Sequence, residues 1–396
     1  MTKDTGHEAA DPFSGAGTNQ SGMRESNERL VLSLLRREGG LAKAGIARKT
    51  GLSAQTVSRL IGTLEGEGLI RRGDPQRGRV GQPSVPMSLA PTGAYFLGLK
   101  VGRRLVEVVL TDFTGQIVDR VQQMHDYPQF DSILNFAVAS INRLTERMPP
   151  QRRDRVAGLG IAMPFHLWNW AASIGVSPDR MANWRTRDLQ AELSARLEIP
   201  VFLQNDATAA CSAELVFGSA ELPENFLSIY IAFFVGGGLV LRGSLFSGAT
   251  GNAAGLGPLL VPDLDGEMRP LIDLASLVTL ETRMLDQGCD ARQIWERPEG
   301  WDIPSRILDD WVDRSANALA YAVRASQTLL DLDAVLVDGW LPRAVLEDLH
   351  ARIGDAVGRI DMRGMTVPQI IAGTVGPDAR ALGAASLPLS ARFLKG

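Results

Sequence analysis

Apolar residues recur at helical spacing between Arg24 and Leu64 and as short β-rich runs from Tyr95 onward, so the period itself divides the chain. Leu30, Val31, Leu34 and Leu35 make the stripe of a first helix that begins near Ser26, a good N-cap, and stops at Gly39-Gly40. A second short helix, about Ala42–Thr50, turns Ile46 and Ala47 inward. Gly51-Leu52-Ser53 reads as a tight turn: Gly51 tolerates left-handed backbone, Leu52 plugs the core and Ser53 caps the next helix. In that third helix Val57, Leu60, Ile61 and Leu64 fall at i, i+3, i+4 and i+7, while Gln55 and Arg59, flanked by Thr56 and Ser58, take the opposite face. Leu69-Ile70 opens a strand. Arg71, Arg72, Arg77 and Arg79 then run through a Gly- and Pro-punctuated stretch to Gln82-Pro83, the pattern of a two-stranded wing with a basic tip.

Beyond Tyr95 the pattern predicts strands at Tyr95–Val101 and Leu105–Thr111 and a third from Gln116, after a turn at Asp112-Phe113-Thr114-Gly115. An amphipathic helix (131–147), a buried strand (156–163), a helix (186–197), a strand (201–204) and a helix (207–217) come next. The second half repeats the theme: strands at 226–233 and 238–241, helices at 271–285 and 307–330, a strand at 334–337, a helix at 342–357, a strand at 369–371 and a last helix at 377–386. Two lobes, each led by a meander and finished by alternating strands and helices, indicate an α/β fold with mixed sheets.

Charge sharpens this division. Residues 24–90 carry 12 basic and 6 acidic side chains, whereas the 396-residue chain has a net charge of −4. A small basic head on a large acidic body suggests a polyanion-binding module joined to something else. Gln and Arg side chains suit base edges, and hydroxyls suit phosphate oxygens. Helix, helix, turn, helix and basic wing therefore read as a winged helix-turn-helix over residues 23–90. Ser53, Gln55, Thr56, Ser58 and Arg59 face DNA from its third helix, and Arg77, Arg79 and Gln82 from its wing. A generic three-helix bundle with a solvated charged face is the bland alternative. Residues 1–22, rich in Gly, Ser, Thr and Asn, read as a disordered tail. Cys211 and Cys289 supply no disulfide framework or Cys-x-x-Cys site. With no apolar span or signal-peptide core, a cytoplasmic protein is the expectation.

The stretch "LAKAGIARKTGLSAQTVSRLIGTLEGEGLIRRG" resembles the DNA-binding head of MarR-like winged-helix proteins. Further on, "GLGIAMPF", "SPDRMANW", "IPVFLQNDATAACSAELVFG", "VGGGLVLRGSLFSGATGNAAGLGPL" and "IIAGTVGPDARALGAASL" occur in order and resemble the ROK family (repressors, open reading frames and sugar kinases). That resemblance implies a two-lobed actin-like ATPase (ribonuclease H-like) body over residues 91–396. Lobe one would span about 91–205 plus the C-terminal helix, and lobe two about 206–376. The kinase members' Asp-x-Gly-Gly-Thr phosphate turn matches Lys100-Val101-Gly102-Arg103-Arg104, which replaces the metal-organising carboxylate by a cation. Their second phosphate loop matches Ala232–Gly238, where Phe233 and Phe234 stand in place of Thr-Gly. Gly255 and Pro258 replace the sugar-binding Glu and the zinc-ligating His, and Pro262–Leu277 holds no cysteine, so neither metal nor cofactor is expected.

Asn205-Asp206 matches the family's sugar-binding pair, whose Asp is the catalytic base. Asp206 also reads as the cap of the helix that begins there, and the two roles are compatible. Asn183-Trp184 matches a position beside the sugar cleft, the aromatic run Phe165–Trp170 suits either a pocket wall or packing, and Asp338-Gly339 reads as a structural turn. The expectation is thus a DNA-binding transcriptional regulator, a repressor and not an enzyme. It would act on operator DNA as a homodimer or homotetramer and be controlled by a small sugar or polyol-like effector at Asn183, Asn205 and Asp206. The alternatives are an ATP-dependent sugar kinase with an atypical phosphate site and an architectural DNA binder.

Overall fold

The computed structural model describes residues 20–75, 85–171, 175–218 and 221–395. The chain divides into two units, residues up to Leu89 with Phe393–Lys395, and Ala90–Arg392.

In the first unit α1 spans Gln20–Glu38, β1 Leu41–Ala42, α2 Lys43–Thr50, α3 Ala54–Gly66, β2 Ile70–Arg72 and β3 Pro86–Leu89. Helix α1 begins at Gln20, ahead of Ser26, so residues 20–22 belong to a helix and not to a tail. Within it Arg24 and Glu28 pair at 2.8 Å, as do Glu25 and Arg29. Val31, Leu34 and Leu35 from α1, Ile46 from α2, and Val57, Leu60, Ile61 and Leu64 from α3 are all buried. The wing gains a strand that the pattern did not show. β1 pairs with β3 through Leu41 and Met87, giving the order β1-β3-β2. The final residues join this unit, where the Lys395 N–H donates to Ser33 Oγ at 2.9 Å.

The second unit repeats one topology. Strands β4 (Tyr95–Val101), β5 (Leu105–Asp112), β6 (Ile117–Met124), β7 (Val156–Met163) and β8 (Val201–Asn205) form a sheet ordered β6-β5-β4-β7-β8. Its meander is antiparallel, and β4, β7 and β8 run parallel. Helix α4 (Phe130–Arg147) buries Ile133, Leu134, Ile141 and Leu144 in this sheet's core. After α5 (Asp206–Phe217), strands β9 (Phe226–Ile231), β10 (Val235–Leu241), β11 (Ser244–Phe246), β12 (Ala334–Gly339) and β13 (Gln369–Ala372) repeat the arrangement as β11-β10-β9-β12-β13. Helices α6 (Ser305–Leu330) and α7 (Arg343–Arg359) close the second core around the fully buried Trp311. Helix α8 (Ala379–Phe393) ends the unit. Among the described residues no helix is long and apolar enough to cross a membrane.

Two predicted helices are broken, for visible reasons. The 186–197 segment splits into Asn183–Thr186 and Leu189–Ser194, because Asp188 caps the second piece by accepting from Ala191 N–H at 3.1 Å. The 271–285 segment breaks at Ser276, whose backbone is extended. Its Oγ accepts from Val235 N–H at 3.0 Å and its carbonyl from Trp311 Nε1 at 3.2 Å.

Glycine sets the seat of α8. A Cβ at Gly98 or Gly160 would collide with the carbonyls of Ala381 or Ala384, and one at Gly383 with the Ala209 carbonyl of α5. Helix backbone therefore rests directly on sheet and helix backbone, without a cushion of side chains.

Candidate DNA-binding face and effector cleft

The turn into α3 is built as its residues require. Gly51 has φ +72° and caps α2 through its N–H to the Ala47 carbonyl. Ser53 Oγ accepts from Thr56 N–H at 3.1 Å and lies 2.9 Å from Thr56 Oγ1, so both hydroxyls serve the cap. Gln55, Ser58 and Arg59 are exposed on the face opposite the buried stripe. Arg72 makes a two-pronged bond to Glu65 at 2.6 and 2.8 Å, which ties the wing strand to α3. Arg77, Arg79 and Gln82 lie outside the described residues.

In the second unit, β8 ends where α5 begins. Asn205, not Asp206, is the N-cap: its Oδ1 accepts from Ala207 N–H at 3.0 Å and from Thr208 N–H at 3.4 Å. Asp206, in the first turn of α5, pairs instead with Arg380 of α8 at 3.4 Å. Asn183 is exposed on its short helix. Its neighbour Trp184 is buried, stacked edge-on against Phe130 and donating to the Pro128 carbonyl at 2.7 Å. The structure thus joins Asp206 to Arg380, and no contact among the described residues joins either to Asn183.

Lys100 points inward. It is 1% exposed, with Nζ 3.8 Å from the buried Glu107 and 4.4 Å from the ring centre of Trp340. Glu107 also faces Arg120 at 3.1 Å, and Arg120 reaches Asp378 at 2.9 Å. Burial and the nearby Arg380 lower the Lys100 ammonium to about 7, with Glu107 opposing them. Arg103 is buried against Phe234, 4.1 Å from its ring centre, with Trp170 and Phe233 at 5.6 Å, and burial lowers its pKa. Phe233 stacks on Trp295 at 5.5 Å. Trp170, Phe233 and Phe234 thus form an aromatic box closed by a guanidinium.

Beside it lies a cleft of about 680 Å³, whose walls include Arg120, Trp295, Trp340, Arg343 and the 373–378 loop. Two buried carboxyls hold that loop. Glu214 accepts from the N–H groups of Thr374 at 2.6 Å and Val375 at 2.8 Å, and Asp338 from that of Gly376 at 2.8 Å. Burial and the neighbouring Glu214 raise Asp338 above the usual carboxylate range. The motif comparison pointed to Lys100, Phe233 and Phe234. It missed Arg103 as an interior group, and Arg380 and Glu214 altogether.

The units are a winged helix-turn-helix and a duplicated ribonuclease H-like body of the actin and sugar-kinase class. The chain belongs to the ROK family, whose profile matches residues 96–391, and residues 24–79 match the MarR family. It is 28% identical over 377 residues to the uncharacterized protein y4fQ of Sinorhizobium fredii, covering 93% of this chain and 92% of that one. It is 26% identical over 250 residues to the xylose repressor of Bacillus subtilis, covering 63% of each. A solved ROK family transcriptional regulator, described as a homologue of the Escherichia coli MLC protein, shares the fold. The TM-score is 0.66 at 18% identity, over 94% of this chain and 97% of that one.

Proposed function

We propose that this protein is a sequence-specific DNA-binding transcriptional repressor whose ROK body takes a small sugar or polyol-like effector and transfers no phosphoryl group. The observation that carries the reading is the exposed Gln55, Ser58 and Arg59 face of a helix fixed by its cap, its buried stripe and the Glu65–Arg72 tie. A helix so presented suits the major groove, and two heads supplied by a homodimer or homotetramer suit a palindromic operator. The similarity to a xylose repressor supports both repression and a sugar-like effector. Asn205 and Asp206 are the effector contacts in this reading, with Asn183 beside them, and Arg77, Arg79 and Gln82 contact DNA from the wing.

Phosphoryl transfer requires a metal-organising carboxylate and close glycine amides around the phosphates. Lys100, buried at the first position, and the Phe233–Phe234 pair at the second argue against it. Asp206, at the start of α5, is the one feature favouring a kinase. A coupled ATP-consumption assay over a sugar panel tests that directly, and no turnover above the protein-free blank is expected. The main test is binding to DNA upstream of the protein's own gene, with and without a sugar and polyol pool. Specific binding that Arg59→Ala weakens and the pool alters supports the reading. Binding indifferent to every metabolite supports an architectural role instead.

A further inference from the structure

Lys100 at the end of β4, Arg103 and Arg104 in the turn after it, and Arg380 near the start of α8 line a single small cavity with Trp295 and Trp340. No carboxylate lines it among the described residues. The carboxylates paired with these cations are Glu107, 3.8 Å from Lys100, and Asp206, 3.4 Å from Arg380, and Glu281 accepts from the lining Trp295 Nε1 at 2.8 Å. Arg103 and Arg380 are each 7% exposed, and the Nε of each is buried without a hydrogen-bond partner among the described residues. Three arginines and a partly protonated Lys100 against Glu107, Asp206 and Glu281 still leave a positive excess where a buried charge is costly unless compensated. The Arg120–Asp378 pair farther out adds no net charge.

We infer that this cavity is an oxyanion site, so that the effector in the reading above, on which this rests, is an acidic sugar derivative and not a neutral sugar. The cavity, about 20 Å³, holds one or two oxygen atoms and no sugar ring. A carboxylate edge, or one edge of a phosphoryl group whose other oxygens stay in the larger cleft, would meet the guanidinium groups of Arg103 and Arg380, which form the strongest hydrogen bonds to such oxygens. The larger cleft shares Leu105, Trp295 and Trp340 with the cavity, and Asp206 borders it through Arg380, which leaves room for hydroxyls beyond the acidic head.

The test is calorimetric titration of the full chain at pH 7 in low-chloride buffer with inorganic phosphate, gluconate, glucose 6-phosphate and glucose. Gluconate or glucose 6-phosphate should bind at least about tenfold tighter than glucose, the better of the two identifying a carboxylate or a phosphoryl head. Arg103→Met should weaken that binding at least about tenfold while raising the thermal midpoint of the ligand-free protein, because it removes an uncompensated buried charge. Arg104→Gln, at a half-buried position, should weaken binding in the same direction with the midpoint little changed. Equal binding of glucose and the acids, or no binding of any probe at millimolar concentration, overturns the anion site. Equal binding of glucose and the acids that Asp206→Ala abolishes leaves the effector reading intact. Tight acid binding lost in Arg103→Met, with DNA affinity unmoved by the acid, keeps the anion site and removes the effector-controlled repressor.

Discussion

Replacing Lys100 by Met should stabilise the protein at neutral pH, although it deletes one partner of a buried ion pair. The ammonium is held at about 7 in the fold against 10.5 in an unfolded chain. Because the folded value is the lower one, the unfolded chain binds more protons between these limits. The cost to stability is therefore fully present below pH 7 and fades as pH rises towards 10.5. At ~1.4 kcal/mol per pH unit of displacement, with the lysine half protonated, that cost is about 4 kcal/mol at pH 7. Methionine removes it and fits the apolar wall of Trp340, and Glu107, whose attraction is already contained in that value, keeps Arg120 as its partner. The expected gain is about 4 kcal/mol at pH 7 and about 2 kcal/mol near pH 9, and it fades above pH 10.5. Arg120, Arg380, Glu107 and Asp378 surround the lysine in both proteins, so their contributions largely cancel in the difference. Urea unfolding of the full chain, followed by tryptophan fluorescence, measures this cleanly. All seven tryptophans fall between Trp168 and Trp340, so the signal belongs to the second unit. A Met variant less stable at pH 7, or a difference flat between pH 7 and 9.5, would refute the reasoning.

Other perturbations probe the remaining parts. Arg59→Ala should weaken operator binding by ~1–3 kcal/mol, mainly at one base position, as read by anisotropy titrations on a panel of point-substituted operators. Ser53→Ala should cost the first unit ~1 kcal/mol, visible as faster amide exchange at the start of α3, with the fluorescence-monitored transition unchanged. Gly160→Ala, which drives a methyl into the Ala384 carbonyl, should lower stability by ~3 kcal/mol or more in the same urea assay. Asp206→Asn, which removes the charge facing Arg380, should reduce gluconate or glucose 6-phosphate affinity less than Arg103→Met does if the acidic head binds the arginines.

The head was legible because its stripes are local. Val57, Leu60, Ile61 and Leu64 define one helix face within two turns, and Gly51 and Ser53 announce the turn before it. The two-residue strand Leu41–Ala42 was not legible, since only its pairing with Pro86 and Met87, more than 40 residues away, makes it a strand. In the body, buried β-rich runs gave the strands of both sheets. Helix breaks at Asp188 and Ser276 depend on side-chain bonds that periodicity does not register. The candidate site was only half readable. Arg103-Arg104 has the composition of a solvent-facing turn, and Arg103 goes inside, with Arg104 half-buried beside it, because Trp170, Phe233, Phe234 and Trp295 converge there from distant segments. The capping role predicted for Asp206 falls one residue earlier, on Asn205, which frees Asp206 for Arg380.

The seating of α8 has a consequence for how tightly any ligand can be gripped. Asp206 opens α5 and Arg380 opens α8, and the two helices touch backbone to backbone where Gly383 meets Ala209, with Gly98 and Gly160 of the first sheet beneath α8. The spacing of the two helix starts that carry this carboxylate and guanidinium is therefore gauged by main chain. The effector proposed above would therefore meet a frame already assembled and lose little entropy in ordering it. A single methyl at position 383 would push the two helices apart, and with them the two side chains that they carry, without touching either.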